Sequence, residues 1–270
     1  MSKRSTQPVV SVVTPVFNGE RYVRRTIESV LAQDGVAIEY VVVDGASTDR
    51  TMEIVRAYAE RISLILSEPD RGMYNAINKG FARTSGSILC YLNSDDTYLP
   101  GTLASVARCF AEQAIELCFG DCIHIDSNDR EIFRSHGVDL PYRWITRLGR
   151  IPFAQQTAFW TRALFDKIGG FDESYRYVAD TKFLFECLRH VEARKAHLPD
   201  YLACFRLHAD ALSTRVAAEM QGEHHRVLRE LGIRPGFARL LAEAAVKWRN
   251  RKNIAQRLLR GRWSGRSHAG

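Results

Sequence analysis

Four short apolar runs, at residues 9–14, 38–43, 62–66 and 88–92, alternate with helical patterns, and this alternation restricts the fold more than any other feature. Each run has the length and β-branched or aliphatic content of a buried strand. Between the first two, Val23, Ile27, Val30 and Leu31 recur at helical spacing within residues 20–33. Ile54, Val55 and Tyr58 mark a second helix, and residues 73–83 a third. Strands alternating with helices imply βαβ units, a parallel sheet and right-handed crossovers. In such sheets ligands bind beyond the carboxyl ends of the strands. The polar clusters lie there: residues 14–19 after the first strand, 44–49 after the second and 93–96 after the fourth. Three loops distant in sequence therefore converge on one edge.

The second half is less regular. Residues 117–119, 122–126 and 132–135 predict added, partly antiparallel strands, so the central sheet is expected to be mixed. Helical patterns follow at 162–168, 180–190 and about 211–231, and Gly232 and Pro235-Gly236 then punctuate the chain. A length of 270 residues suits one large domain with a small appendage. The expected division is a tail at 1–8, a domain at 9–212 and a helical, basic extension at 213–270. No apolar run can span a bilayer. Residues 1–8 offer no apolar region for a secretory signal, so a cytosolic protein is expected. The six cysteines form no CxxC pair, and nothing near Cys118 and Cys122 completes a zinc site. Reduced thiols are expected.

Chemistry is concentrated in a few positions. Asn93-Ser94-Asp95-Asp96 sets two carboxylates side by side directly after a buried strand, where they repel one another. A hard divalent cation, Mg²⁺ or Mn²⁺, relieves that repulsion. A diphosphate would complete its shell and be stabilised as a leaving group. An Asp-rich turn capping the helix near Pro100 explains the same residues equally well. Asp44-Gly-Ala-Ser-Thr-Asp49 offers an acceptor for a base or ribose, or a plain capped βα turn. Ser67-Glu-Pro-Asp-Arg-Gly72, with Asn75 and Lys79, brings cations that suit phosphates or a solvated helix start. Asp180, just before Phe183-Leu184-Phe185, and His208, in Phe205-Arg-Leu-His208, each admit a structural or a chemical role.

Taken in order, these pieces resemble the family 2 inverting glycosyltransferases with the GT-A fold. The resemblance rests on Ser11-Val-Val-Thr-Pro-Val-Phe-Asn18, Val41-Val-Val-Asp44-Gly-Ala-Ser-Thr-Asp49 and the segment from Ser67 to Gly80. It continues through Gly86-Ser-Ile-Leu-Cys-Tyr-Leu-Asn-Ser-Asp-Asp96 and Gly169-Gly-Phe-Asp-Glu to Asp180. It implies a Rossmann-like nucleotide-sugar-binding domain. Pro15 and Asp44 would line the nucleotide pocket, with Thr14, Val16, Asn18, Arg71, Asn75, Lys79, Asn93 and Ser94 completing the donor site. Asn93-Ser94-Asp95 occupies the Asp-x-Asp position, with Asn93 in place of the first acid. Asp95 would be the first metal ligand and Asp96 the second, with His208 a third. Asp180 matches the catalytic base, although Ala179 stands where a second acid often precedes it. The activity implied is a single displacement from a nucleoside-diphosphate sugar, UDP foremost, onto a saccharide or lipid-linked saccharide, as in surface polysaccharide synthesis. The processive synthases' Gln-x-x-Arg-Trp motif is missing around Arg143-Trp144 and Arg262-Trp263, which favours transfer of single sugars.

Charge is uneven. Residues 233–270 hold ten Lys/Arg and one acid, Glu243, so the net +7 of the chain belongs to this tail and the rest is slightly acidic. Apolar residues from Phe237 through Leu240, Leu241, Ala244, Trp248, Ala255, Leu258 and Leu259 to Trp263 recur at near-helical spacing among these cations. That combination suits a helix in an anionic membrane interface. A helix docked on the domain and a solubilising tail are the alternatives. The tail carries no nucleic-acid recognition motif, and no nucleic-acid partner is expected. A sugar-nucleotide pyrophosphorylase would open on a Gly-rich loop with Arg and Lys, where this chain has Thr-Pro-Val-Phe-Asn. A dinucleotide oxidoreductase would need GxGxxG after the first strand.

Overall fold

The computed structural model describes residues 8–191, 193–234 and 239–250. Strands β1 (Val9–Val16), β2 (Ala37–Asp44), β3 (Leu64–Ser67) and β4 (Ile88–Tyr91) run parallel in the order β3-β2-β1-β4. Helices α1 (Val23–Leu31), α2 (Thr51–Arg56) and α3 (Met73–Phe81) connect them. Alternate side chains of these strands enter two different cores. Val13, Val41, Val43, Leu89 and Tyr91 meet Tyr74, Ile77 and Phe81 of α3. Val10, Val12, Val16, Val42 and Cys90 meet Val23, Ile27 and Val30 of α1. A sheet covered on both faces explains why its strands read as largely apolar runs. Helix α3 lies so close to the sheet that a Cβ on Gly80 would stand 2.6 Å from a methyl of Val13. Only glycine fits that crossing.

The sheet then continues in mixed fashion. After β5 (Thr97–Tyr98) and α4 (Thr102–Glu112) come β6 (Leu117–Ile125), β7 (Glu131–Ser135), α5 (Tyr142–Leu148) and β8 (Ala158–Thr161). Helices α6 (Arg162–Ile168) and α7 (Ala179–Val191) precede β9 (Lys195–Arg206), and α8 (Leu212–Arg215), α9 (Ala217–Glu230) and α10 (Arg239–Arg249) follow. The short β8 is antiparallel to both β4 and β6, so β6 and its parallel partner β9 regain the direction of β1. The expected mixed, Rossmann-like sheet is therefore present.

Several elements depart from expectation. Residues 117–119 and 122–126 are not two strands but the single β6, whose register with β9 shifts on either side of Asp121. Gly120 permits this, because a Cβ there would collide with Leu202 of β9. The long helix read at 211–231 breaks at Val216 (φ −123°, ψ 35°) into α8 and α9. Val227 and Leu228 of α9, with Ile233, join the core beside α7, so this part of the extension is packed onto the domain. Of the basic tail, residues 233–234 and 239–250 are described; the readings at Phe237, Ala255, Leu258, Leu259 and Trp263 lie outside the described residues.

Candidate active site

The loops after β1 and β2 are laced together. Asn18 adopts a left-handed conformation (φ 50°); its N–H donates to Ser47 Oγ at 2.8 Å and its side-chain oxygen accepts the Thr48 N–H at 2.9 Å. Gly19 N–H donates to Thr51 Oγ1, and the Arg50 N–H to Glu20. Asp44 forms the floor of this pair of loops. It is fully buried, accepts the Ser47 N–H at 3.2 Å, and receives the Ser67 hydroxyl at 2.7 Å. Thr14 and Val16 take a different place from that expected of donor-binding side chains: both face the core, and Thr14 Oγ1 accepts the Tyr40 hydroxyl. Phe17, not anticipated as a site residue, stands 64% exposed beside Gly45 at the rim.

The loop after β4 separates its two aspartates by direction. Asp95 keeps an open carboxylate, with Oδ2 3.1 Å from Nε2 of His208. Ser94 lies against Gly19, so this loop borders the first. Asp96, read from sequence as the second metal ligand, instead turns inward and is fully buried. Its Oδ1 accepts the Arg206 N–H at 2.9 Å and its Oδ2 the Gln156 amide at 2.8 Å, so its lone pairs serve the fold. Burial, and then the neighbouring Asp95 charge, push its carboxyl well above the usual range. Arg206 is itself fully buried; it donates through Nε to the Asp95 carbonyl, pairs with Asp129 at 2.6 Å and lies over the Tyr22 ring. Asp95 and His208 thus face one another across a scaffold made by Asp96, Arg206, Gln156 and Tyr22, none of the last three legible as site residues beforehand.

The arrangement offers two candidate donors to a divalent cation, the Asp95 carboxylate and His208 Nε2. Among the described residues no cluster of three acidic, histidine or cysteine donors forms, so a cation would draw the rest of its shell from phosphate and water. Asp96→Ala would strand the Arg206 N–H and the Gln156 amide in the core. We expect it to cost about 2–4 kcal/mol of stability, the range for breaking a buried polar network, read as a lower melting temperature.

Asp180 lies inside the first turn of α7, where one oxygen accepts the Thr181 N–H at 2.7 Å. The N–H groups just ahead of the helix are satisfied by another residue: Glu223 of α9 accepts from Arg176, Tyr177 and Val178. The remaining partners of Asp180 are two buried hydroxyls, Tyr74 at 2.9 Å and Tyr91 at 3.4 Å. Burial raises the carboxyl above its ordinary range, and the hydrogen bonds from Tyr74, Thr181 and Tyr91 oppose that rise. Tyr91 ends β4, so Asp180 hangs over the same strand end that carries Asn93 and Asp95. Among the described residues, Asn93 finds no partner for its buried Oδ1.

The third polar loop is tied to the segment before α7. Glu173 accepts from Arg71 at 2.6 Å, Asn75 at 2.9 Å and Asn78 at 3.0 Å. Lys79 pairs with Glu68 at 2.8 Å and donates to the Pro69 carbonyl. Arg71 is the most open of these cations. Asn75 and Lys79 are held by protein partners.

Comparisons with known proteins agree on one family. The model of glycosyl transferase family 2 matches residues 11–172. The PGL/p-HBAD biosynthesis glycosyltransferase of Mycobacterium tuberculosis is 32% identical over 186 residues, covering 67% of this chain and 70% of that one. Among solved structures, Staphylococcus aureus TarS 1–349 in complex with UDP-GlcNAc superposes with a TM-score of 0.62 at 21% identity, over 82% of this chain and 70% of that one. Another TarS 1–349 structure is matched over 73% of this chain, which spans only 60% of its length (24% identity, TM-score 0.60). The mannosyltransferase PcManGT of Pyrobaculum calidifontis, in complex with GDP-Man and Mn²⁺, gives a TM-score of 0.62 at 21% identity over 98% of this chain and 77% of that one. The family match covers the loops that carry Asp44 and Asp95, and Asp180 and His208 lie beyond its end.

Proposed function

The chain belongs to glycosyl transferase family 2, and we propose that it moves single sugars from a nucleoside-diphosphate donor to a saccharide hydroxyl, inverting the anomeric carbon. The observation that carries this reading is the placing of the Asp95–His208 pair and the Tyr-bound Asp180 around one strand end. The donor would lie across the β1 and β2 loops, its base against the exposed Phe17 ring. A base N–H would replace the Ser67 hydroxyl as a donor to Asp44. Asn93 Oδ1 is a spare acceptor for a ribose hydroxyl, and Arg71 an exposed cation for phosphate. Mn²⁺ or Mg²⁺ held by Asp95 and His208 would neutralise charge on the departing diphosphate.

Asp180 removes the proton of the acceptor hydroxyl as that oxygen attacks. An α-linked donor then yields a β-glycoside. We read residues 9–212 as the catalytic domain and 213–270 as its extension. The acceptor is a saccharide, free or lipid-linked at the cytoplasmic face of a membrane, in the assembly of a surface polysaccharide or glycan. UDP is the proposed nucleotide. Thermal shifts with UDP, dTDP and GDP, each with Mn²⁺, rank the donors, and NMR of the product reads its anomeric configuration. A product that retains the donor's configuration would overturn the single displacement.

Tyr74 supplies a prediction for the base. Its hydroxyl lowers the Asp180 carboxyl against the effect of burial, so Tyr74→Phe removes a brake on that rise. Only the ionised carboxylate accepts a proton, and activity falls as pH drops through its pKa. The acid limb of kcat/KM is therefore expected to move to higher pH in Tyr74→Phe, with turnover at neutral pH reduced about tenfold or less, as suits loss of one hydrogen bond to a charged group. An unmoved acid limb would separate Tyr74 from the base.

A further inference from the structure

Helix α10 is fastened to the domain along one side. Val246 packs with Leu148, beside Trp144 and Leu140, and the Asn250 side chain clasps the His136 main chain, accepting its N–H at 2.6 Å and donating to its carbonyl at 3.3 Å. At about 100° per residue, Leu240, Leu241 and Ala244 fall on the side opposite Val246. Leu240 is 61% and Leu241 62% exposed, and Ala244 is exposed with them. Trp248, on the same side, is 66% exposed. Docking on the domain and presenting an apolar face are therefore compatible, although the sequence offered them as alternatives.

We propose that this outward face of α10 seats the protein on an anionic lipid surface. Leu240 and Leu241 enter the boundary between headgroups and acyl chains, and the net positive charge of the segment 233–270 draws it to the lipid phosphates. Charge selects this occupant. The segment 233–270 carries ten Lys/Arg against Glu243, and within α10 that acid is already paired with Arg239 at 2.7 Å and Lys247 at 3.8 Å. A second copy of the chain would bring the same positive field against it, whereas anionic headgroups complement it. Among the described residues no helix is long and apolar enough to cross a membrane, so the contact is with the surface. An amphipathic helix with a cationic border is the form such contacts take. Because Val246 and Asn250 hold α10 against the domain, seating it also orients the domain. The inference rests on the reading of a membrane-linked acceptor, and it is tested without donor or acceptor, so its failure and that of the transfer reading are told apart.

The test is co-sedimentation of the full chain with phosphatidylcholine vesicles, with and without phosphatidylglycerol, at low and high salt. Binding should require phosphatidylglycerol and weaken with salt. In Leu240→Glu/Leu241→Glu it should fall at least about tenfold with an unchanged melting temperature, as two buried leucines exchanged for acids imply. In the intact protein, brominated acyl chains should quench part of the tryptophan emission, a readout independent of whether the variant folds. Equal sedimentation of a folded variant, binding indifferent to phosphatidylglycerol, or no quenching would overturn the proposal. So would a dimer that the double substitution dissociates while neither protein binds vesicles.

Discussion

Asp180→Asn is expected to lower turnover roughly 10²–10⁴-fold, the range for loss of a general base. The exchange keeps the shape of the side chain and an oxygen for the Tyr74 hydroxyl, so geometry survives while basicity is lost. The binding constant for UDP should change little, because the proposed role turns the carboxylate toward the acceptor. Stability separates this role from a structural one. The folded carboxyl sits above its ordinary pKa because of burial, so its contribution to stability is present at acid pH, below the unfolded value. It is lost as pH rises through the folded pKa. Above that folded pKa the ionised side chain is therefore a burden on the fold, and there asparagine should melt at the same temperature or higher. Steady-state kinetics, calorimetric UDP titration and thermal melts of the two proteins check all three. A variant that melts markedly lower yet turns over normally would make Asp180 part of the scaffold alone.

Strands β1, β2 and β4 could be read because burial on both faces leaves a largely apolar signature, broken only by residues such as Ser11 and Glu39. Strand β9 could not. Its twelve residues include Pro199-Asp200, which signal a turn, and it keeps pairing with β6 only through two register shifts. Nothing in the local pattern of residues 195–206 encodes that accommodation, which depends on Gly120 in another strand. The same distinction holds at the site. Asp95, Asp180 and His208 stand in recognisable company, whereas Arg206 acquires meaning only when Asp95, Asp96 and Asp129 are brought to it from about 80–110 positions away. Asp96 shows the converse error. Adjacent carboxylates look alike in sequence, but successive residues of a tight loop point in different directions, and the Arg206 N–H and Gln156 amide capture the second. Glu223, in the stretch read as extension, satisfies the loop that presents Asp180; a lone acid on an exposed helix gives no hint of that work.

Asp95→Ala should therefore behave unlike Asp96→Ala, although the two residues are neighbours. Asp95 contributes to the scaffold mainly through its main-chain carbonyl, which receives Arg206 Nε and survives the substitution. Among the described residues the carboxylate meets only His208, a largely buried ring whose stranding should cost the fold about 1–3 kcal/mol. Its chemical cost is larger. A metal ion supplies several kcal/mol of stabilisation to a leaving group, and each 1.4 kcal/mol or so is tenfold in rate, so turnover should drop about 10³-fold. Enhancement of UDP affinity by Mn²⁺ should disappear at the same time, because His208 alone is a single donor. Chelation by EDTA should reproduce both losses in the intact protein, and excess Mn²⁺ should restore them there but not in Asp95→Ala. In Asp96→Ala the order of effects is reversed: the melting temperature falls first, and activity follows the folded fraction. Full activity in EDTA, together with undiminished turnover by a folded Asp95→Ala, would remove the metal from the reaction and leave Asp95–His208 a polar contact at the mouth of the site.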